Sequence, residues 1–128
     1  NENSSRQKAK KESKLIFRYI KRSLLLREKQ TSVLNQHIES CNYPLIVCGD
    51  FNDTPLSYSY HILSKNLTDN FNKNGNGSGK TFISDFPLMR IDYFLYSKGI
   101  CGISYKRDKL FYSDHFPISS NFMLVKKY

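Results

Sequence analysis

Tryptophan is absent from the chain, and cysteine occurs only three times, at positions 41, 48 and 101, never in a C-x-x-C spacing. That number and spacing argue against a disulfide framework and against a cysteine-built zinc site. Free thiols fit a reducing compartment, and Cys48, inside an apolar run, is expected to be a small core residue. No apolar stretch approaches the ~20 residues of a membrane span. No signal peptide is visible, because the first apolar cluster follows a charged arm. Glycine and proline are missing from residues 1–43. Acidic residues are scarce overall, 11 against 20 Lys and Arg, for a net charge of +9.

The charge is uneven. Residues 1–29 hold ten Lys/Arg against three Glu, while residues 30–128 hold ten against eight Asp/Glu. The basic character therefore belongs to the N-terminal arm. Such an arm suits nucleic acid, anionic lipid headgroups or an acidic partner, or it is simply a solvated helix face. What remains is globular in composition, with 39% hydrophobic residues and nine each of Phe and Tyr. At 128 residues the chain is one domain or a piece of one.

Apolar residues recur near helical period at Ile16, Tyr19, Ile20, Leu24, Leu26, Val33, Leu34 and Ile38. A long amphipathic helix is expected over roughly 13–40, packed on a sheet, with residues 1–10 frayed. Pro44 introduces Leu45-Ile46-Val47-Cys48, a run that reads as a strand covered on both faces and ended by Gly49-Asp50. Thr54-Pro55 reads as a helix start, with Leu56, Tyr60 and Leu63 on its apolar face. The Gly-rich segment 72–80 is a surface turn. Ile91–Tyr96, residues 100–106 and Ile118–Val125 read as further strands, giving a layered α/β architecture.

Three acidic clusters punctuate these strands. Asp50 and Asn52 lie two apart beyond the first strand; they offer a carboxylate for metal or water and an amide for a phosphoryl oxygen. The alternative is an Asx turn in which they bond their own backbone. Asp92 sits within an apolar strand and needs a partner, either His115 or the adjacent Arg90. Asp114 offers hard oxygen to Mg²⁺ or Mn²⁺, and His115 can donate to a phosphate or protonate a leaving group. Gly79-Lys80-Thr81 imitates the end of a phosphate-binding loop, but Asn74 stands where that pattern needs glycine, and the following residues look extended. His37 and His61 fall at helical positions.

The ordered set of Val47–Pro55, Arg90–Leu95 and Ser113–Ile118 resembles the endonuclease/exonuclease/phosphatase superfamily, the DNase I-like metal-dependent phosphoesterases. The similarity covers about residues 44–125. It implies half of a two-sheet, four-layer α/β sandwich, preceded by the long basic helix. It also implies that Asp50 orients or activates the attacking water, Asn52 steadies the pentacovalent phosphoryl group, Asp92 holds His115, His115 contacts the scissile phosphate, and Asp114 contributes to a Mg²⁺ or Mn²⁺ site. The family's domain is roughly twice this long, and its first half supplies a metal-binding Glu. Glu2, Glu12, Glu28 and Glu39 lie in the arm or helix instead.

The chain is therefore expected to be the C-terminal half of such a domain. Residues 1–43 would link to an N-terminal half, and residues 44–128 would form the half-domain itself. The expected partners are a phosphate-ester substrate (nucleic acid or a phospholipid headgroup), the N-terminal half, and a second copy through self-association. The expected activity is metal-dependent phosphoester hydrolysis in the intact parent, with little in this chain alone. A rival reading is a non-catalytic module whose basic helix docks on nucleic acid or anionic membrane.

Overall fold

The computed structural model describes residues 2–86 and 88–125. Helix α1 spans Glu2–Ser40. With no glycine or proline to interrupt it, it continues through residues 2–10, which were expected to fray. Residue 1 of that arm, and residues 126–128 of the unit expected over 44–128, lie outside the described residues. Among the described residues, α1 packs from about Arg27 onward. Thr31 is buried, and Leu34 and Ile38 join the core around Leu63, Leu67, Tyr93 and Leu95. These positions share one helix face. Ile16, Tyr19, Ile20, Leu24 and Leu26, expected on a packed face, are exposed. No helix among the described residues is long and apolar enough to cross a membrane.

Strand β1 (Ile46–Asp50) runs antiparallel to β3 (Asp92–Tyr96), and β3 pairs on its other side with the two-residue β2 (Thr68–Asp69). Strands β4 (Ile100–Arg107) and β5 (Ile118–Leu124) form a second antiparallel sheet, with a register shift between Gly102 and Ser104. Alternation along β3 decides what each face does. Tyr93 and Leu95 point into the core beneath α1 and α2. Phe94 and Tyr96 point the other way, against Tyr105 and Phe122 of the second sheet. The layers run helices, sheet, sheet. This mixed architecture of two antiparallel sheets is the one expected from the sequence.

Two expectations need correction here. β1 is an edge strand, and Ile46 and Cys48 are exposed, so Cys48 is not a core residue. Both lie on the face turned toward the second sheet, whose aromatic contacts reach Phe94 and Tyr96 and leave these β1 side chains uncovered. Helix α2 begins at Tyr58, not at Thr54-Pro55, because the Ser57 hydroxyl accepts from Tyr60 N at 3.1 Å and caps it there. Leu56, expected on its apolar face, is 90% exposed.

Segment 72–80 contains the expected exposed turn at Gly77-Ser78, but its first residues are helical. A five-residue helix α3 (Asn70–Asn74) is capped by Asp69, whose carboxylate accepts from Phe71 N at 2.9 Å. Gly79 is buried at φ +66°, and a Cβ there would meet the Phe71 ring at 2.5 Å and Arg90 Cδ at 2.8 Å. Thr81 is fully buried and Phe82 beside it forms an isolated β-bridge with no helix following, as expected of a segment that is not a phosphate loop.

A buried polar knot ties the layers together. Arg90 Nη1 donates to Asp69 Oδ2 at 2.6 Å, and the guanidinium lies over the rings of Tyr60, Phe71 and Tyr93. Asn70, with no exposed surface, reaches the Ser104 carbonyl and the Ser120 hydroxyl of the second sheet.

Candidate metal and phosphate site

Asp50 and Asp92 occupy the last paired rung of the β1–β3 ladder, directly opposite one another. Like charges opposed across a strand pair are destabilising, so this rung calls for a positive neighbour. His115 supplies one. Its Nδ1 lies 2.8 Å from Asp92 Oδ2, and its Nε2 lies 3.9 Å from Asp50 Oδ2. The hydrogen bond to Asp92 raises the imidazole pKa above its ordinary value; burial works against it, and the charges of Asp92, Asp50 and Asp114 add to the rise.

The ring is held from several sides. Its backbone amide donates to the Ser113 hydroxyl at 3.0 Å, and its backbone bridges to Phe82. The Phe82 ring packs edge-on at a centroid distance of 5.1 Å. Asp92 is therefore partnered by His115, while Arg90, the other candidate, is committed to Asp69.

The Asp50 loop is built both as an Asx turn and as part of the cluster. Asp50 Oδ1 accepts from Asn52 N at 2.7 Å, while Oδ2 faces the imidazole. Asn52 adopts φ +52°, a left-handed conformation that asparagine tolerates better than most residues. Arg27 of α1 donates from Nη1 to the Asn52 carbonyl at 3.0 Å, and its Nε lies 3.6 Å from Asp53 Oδ2. The Tyr93 hydroxyl donates toward the Asp53 carbonyl at 2.7 Å. Asn52 is exposed, and its backbone amide ties it to Asp50 of the cluster.

One donor atom each from Asp50, Asp92 and His115 lie within 4.8 Å of one another, a grouping able to hold a metal ion. Two carboxylates forced together at a ladder end, with oxygen and imidazole donors, fit a divalent cation. Asp114 stands outside that trio. Its carboxylate is exposed, accepts from the Ser113 hydroxyl at 3.1 Å, and adjoins His115 in the chain. His37 and His61 are exposed and take no part. Sequence reasoning missed Arg27, one of ten basic residues in the arm with no local signal to single it out. It also missed Thr81, which was set aside with the glycine-rich turn.

Residues 19–115 match the Endonuclease/Exonuclease/phosphatase family, and the chain belongs to it. A comparison with curated proteins yields no match. Among solved structures, a conserved protein of unknown function from Enterococcus faecalis superposes with a TM-score of 0.68 at 22% identity, over 80% of this chain and 46% of its own. An endonuclease/exonuclease/phosphatase from Bacteroides vulgatus gives 0.66 at 22% identity, over 77% and 44%. A mannosyl-6-phosphatase from Bacteroides thetaiotaomicron gives 0.54 at 25% identity, over 80% and 45%. The chain thus spans less than half the length of these relatives.

Proposed function

We propose that this chain carries part of the catalytic centre of a divalent-metal-dependent phosphoester hydrolase. The observation that carries the reading is the Asp50–Asp92–His115 cluster at the end of the β1–β3 ladder. In the proposed reaction a water oxygen attacks phosphorus in line, and the bond to the leaving oxygen breaks as the new one forms. Asp50 orients the water and takes up its proton, with Oδ2 the oxygen not already engaged by the Asn52 amide. The Asn52 side chain steadies the phosphoryl oxygens.

Asp92 fixes the His115 ring by accepting from Nδ1. With that nitrogen occupied, Nε2 donates to a phosphoryl or leaving oxygen only when the ring is protonated. The raised proton affinity of His115 supports that state. Positioned acid–base groups of this kind contribute about 10²–10⁴-fold in rate.

Asp114 would contribute to a Mg²⁺ or Mn²⁺ site beside the Asp50–Asp92–His115 grouping, and the family resemblance implies a further Glu ligand from the length of the relatives that this chain does not span. When bound, such a cation neutralises charge developing on the phosphoryl oxygens. Residues 1–43 and 44–128 then act as a connecting helix and a half-domain, and the natural partner is the other half. The exposed apolar residues of α1 and the open edge of β1 also make self-association a route to covering these surfaces. The substrate class is a phosphate ester, either nucleic acid or a phospholipid headgroup.

The test is hydrolysis of a generic phosphodiester and a phosphomonoester, with and without Mg²⁺ or Mn²⁺. It compares this chain with a longer protein supplying the remaining length. Activity is expected only in the longer protein, and there Asp50→Ala and His115→Ala should each lower kcat by about 10²-fold or more. Losses of only a few-fold would overturn the site assignment. A second reading, a binding module, rests on the free part of α1, where exposed Ile16, Ile20 and Leu24 accompany Lys14, Arg18, Lys21 and Arg22. Steeply salt-dependent binding to nucleic acid or anionic vesicles, with hydrolysis in neither protein, would favour it.

A further inference from the structure

Thr81 lies outside the acidic motifs, yet it touches both segments that present the Asp92–His115 pair. Its side chain is fully buried. The hydroxyl oxygen accepts from Ile91 N at 3.0 Å and from Asp92 N at 3.1 Å. Its carbonyl accepts from Phe116 N at 2.7 Å, one residue beyond His115, and its amide donates to the Met89 carbonyl at 3.0 Å. The next residue, Phe82, bridges to the His115 backbone and packs its ring edge-on against the imidazole.

β2 covers only the Leu95–Tyr96 end of β3. The Asp92 end therefore takes its acceptor from a side chain instead of a neighbouring strand. The backbone bonds of Thr81 involve no side-chain atom, whereas the two bonds to Oγ depend on the hydroxyl.

We infer that Thr81 is a positioning residue: a single buried residue that sets the start of β3 and the His115 loop in register, so that Asp92 and His115 meet within hydrogen-bond distance. This assignment rests on the proposed function only in calling the pair functional, and its test requires no turnover. An N···O contact of 2.8 Å tolerates little displacement, because beyond about 3.5 Å it is no longer a hydrogen bond. Loss of the Oγ acceptor should release Asp92 from that distance. The imidazole would then redistribute its hydrogen between Nδ1 and Nε2.

The experiment reads the His115 tautomer in this chain by long-range ¹⁵N–¹H correlation at a pH high enough to leave the imidazole neutral, with the exposed His37 and His61 rings as internal references. The parent and Thr81→Ser should both place the hydrogen on Nδ1 of His115. Thr81→Val, which keeps the volume and removes the acceptor, should move the His115 nitrogen shifts most of the way to those of His37 and His61. Thr31→Val, at a buried threonine on α1, should leave them unchanged, separating positioning from general loosening.

A folded Thr81→Val protein with the parental His115 signature would overturn the inference, and so would an equal change in Thr31→Val. Should Thr81→Val fail to fold, Thr81→Cys retains a weaker acceptor and should give intermediate shifts; parental shifts in that variant would overturn it equally. Absence of hydrolysis in every protein would remove the function reading and leave this one standing.

Discussion

Replacing Arg90 with methionine removes one member of a buried ion pair and leaves the other in place. Asp69 is 5% exposed and would retain two donors, the Tyr60 hydroxyl at 2.7 Å and the Phe71 amide at 2.9 Å, but no counter-charge. Breaking a buried pair from one side costs about 3–5 kcal/mol. The loss of cation–π contact with Tyr60, Phe71 and Tyr93 favours the upper part of that range. The two retained hydrogen bonds favour the lower part. An expected loss of about 3–4 kcal/mol is a large share of the roughly 5–15 kcal/mol that holds a domain together.

In a chain of this size that loss corresponds to a fall in Tm of roughly 10–20 °C. The assay is urea unfolding followed by far-UV circular dichroism, with the midpoint shifting at unchanged slope. Because the cost lies mostly in the stranded carboxylate, Asp69→Asn combined with Arg90→Met should recover about half of it or more. A loss below about 1 kcal/mol in Arg90→Met, or simple additivity in the double variant, would refute the argument. The same variants test the division of labour along β3. Arg90 serves Asp69 and not Asp92, so the His115 ring signals should stay parental in the double variant.

The remaining predictions concern the cluster. His115 binds its proton more tightly in the folded chain than an ordinary imidazole at 6.5, chiefly through its bond to Asp92. Its contribution to stability is therefore fully present below that pH and is lost as pH rises through the folded pKa. Without added metal the urea midpoint should fall across that window, and His115→Asn should flatten the fall; a rise in the parent would contradict the pairing. Asn52→Gly should leave stability within about 0.5 kcal/mol, since glycine accepts φ +52° freely, and under the proposed function it should lower phosphoester turnover by the longer protein. Asn52→Leu should cost about 1–2 kcal/mol, measurable by the same denaturant titration.

Much of this fold was legible because its signals are local. The apolar runs ending at Asp50 and Tyr96, and those beginning at Ile100 and Ile118, locate four strands to within a residue or so. Gly49-Asp50-Phe51-Asn52, Asp92 and Asp114-His115 announce themselves as polar groups at strand ends. What stayed hidden depends on partners far along the chain. Asp69 meets Arg90 twenty-one residues away, Asn70 reaches Ser104 and Ser120 at separations of 34 and 50, and Arg27 meets Asn52 at 25. No local period records such contacts. The same limit explains β1, whose apolar run reads as doubly covered although the covering layer leaves Ile46 and Cys48 exposed. It explains α2 differently, since Thr54 and Ser57 are both good caps and only the tertiary path decides that Ser57 accepts from Tyr60.

The opposition of Asp50 and Asp92 links the fold to the chemistry. A sheet selected for stability alone would avoid two carboxylates on one rung. Here the rung ends the ladder, where β1 turns away through the left-handed Asn52 and both side chains face the His115 loop. Positive charge is therefore wanted at this place, and two sources compete for it: the second proton of His115 and a divalent cation. Each lowers affinity for the other, because each relieves the same repulsion. Added Mg²⁺ or Mn²⁺ held by Asp50 should then weaken the hold of His115 on its proton and shift its titration toward that of an ordinary imidazole. The antiparallel register of two short strands thus sets a local charge imbalance, and that imbalance raises the proton affinity of the imidazole and, under the proposed function, would favour a bound cation.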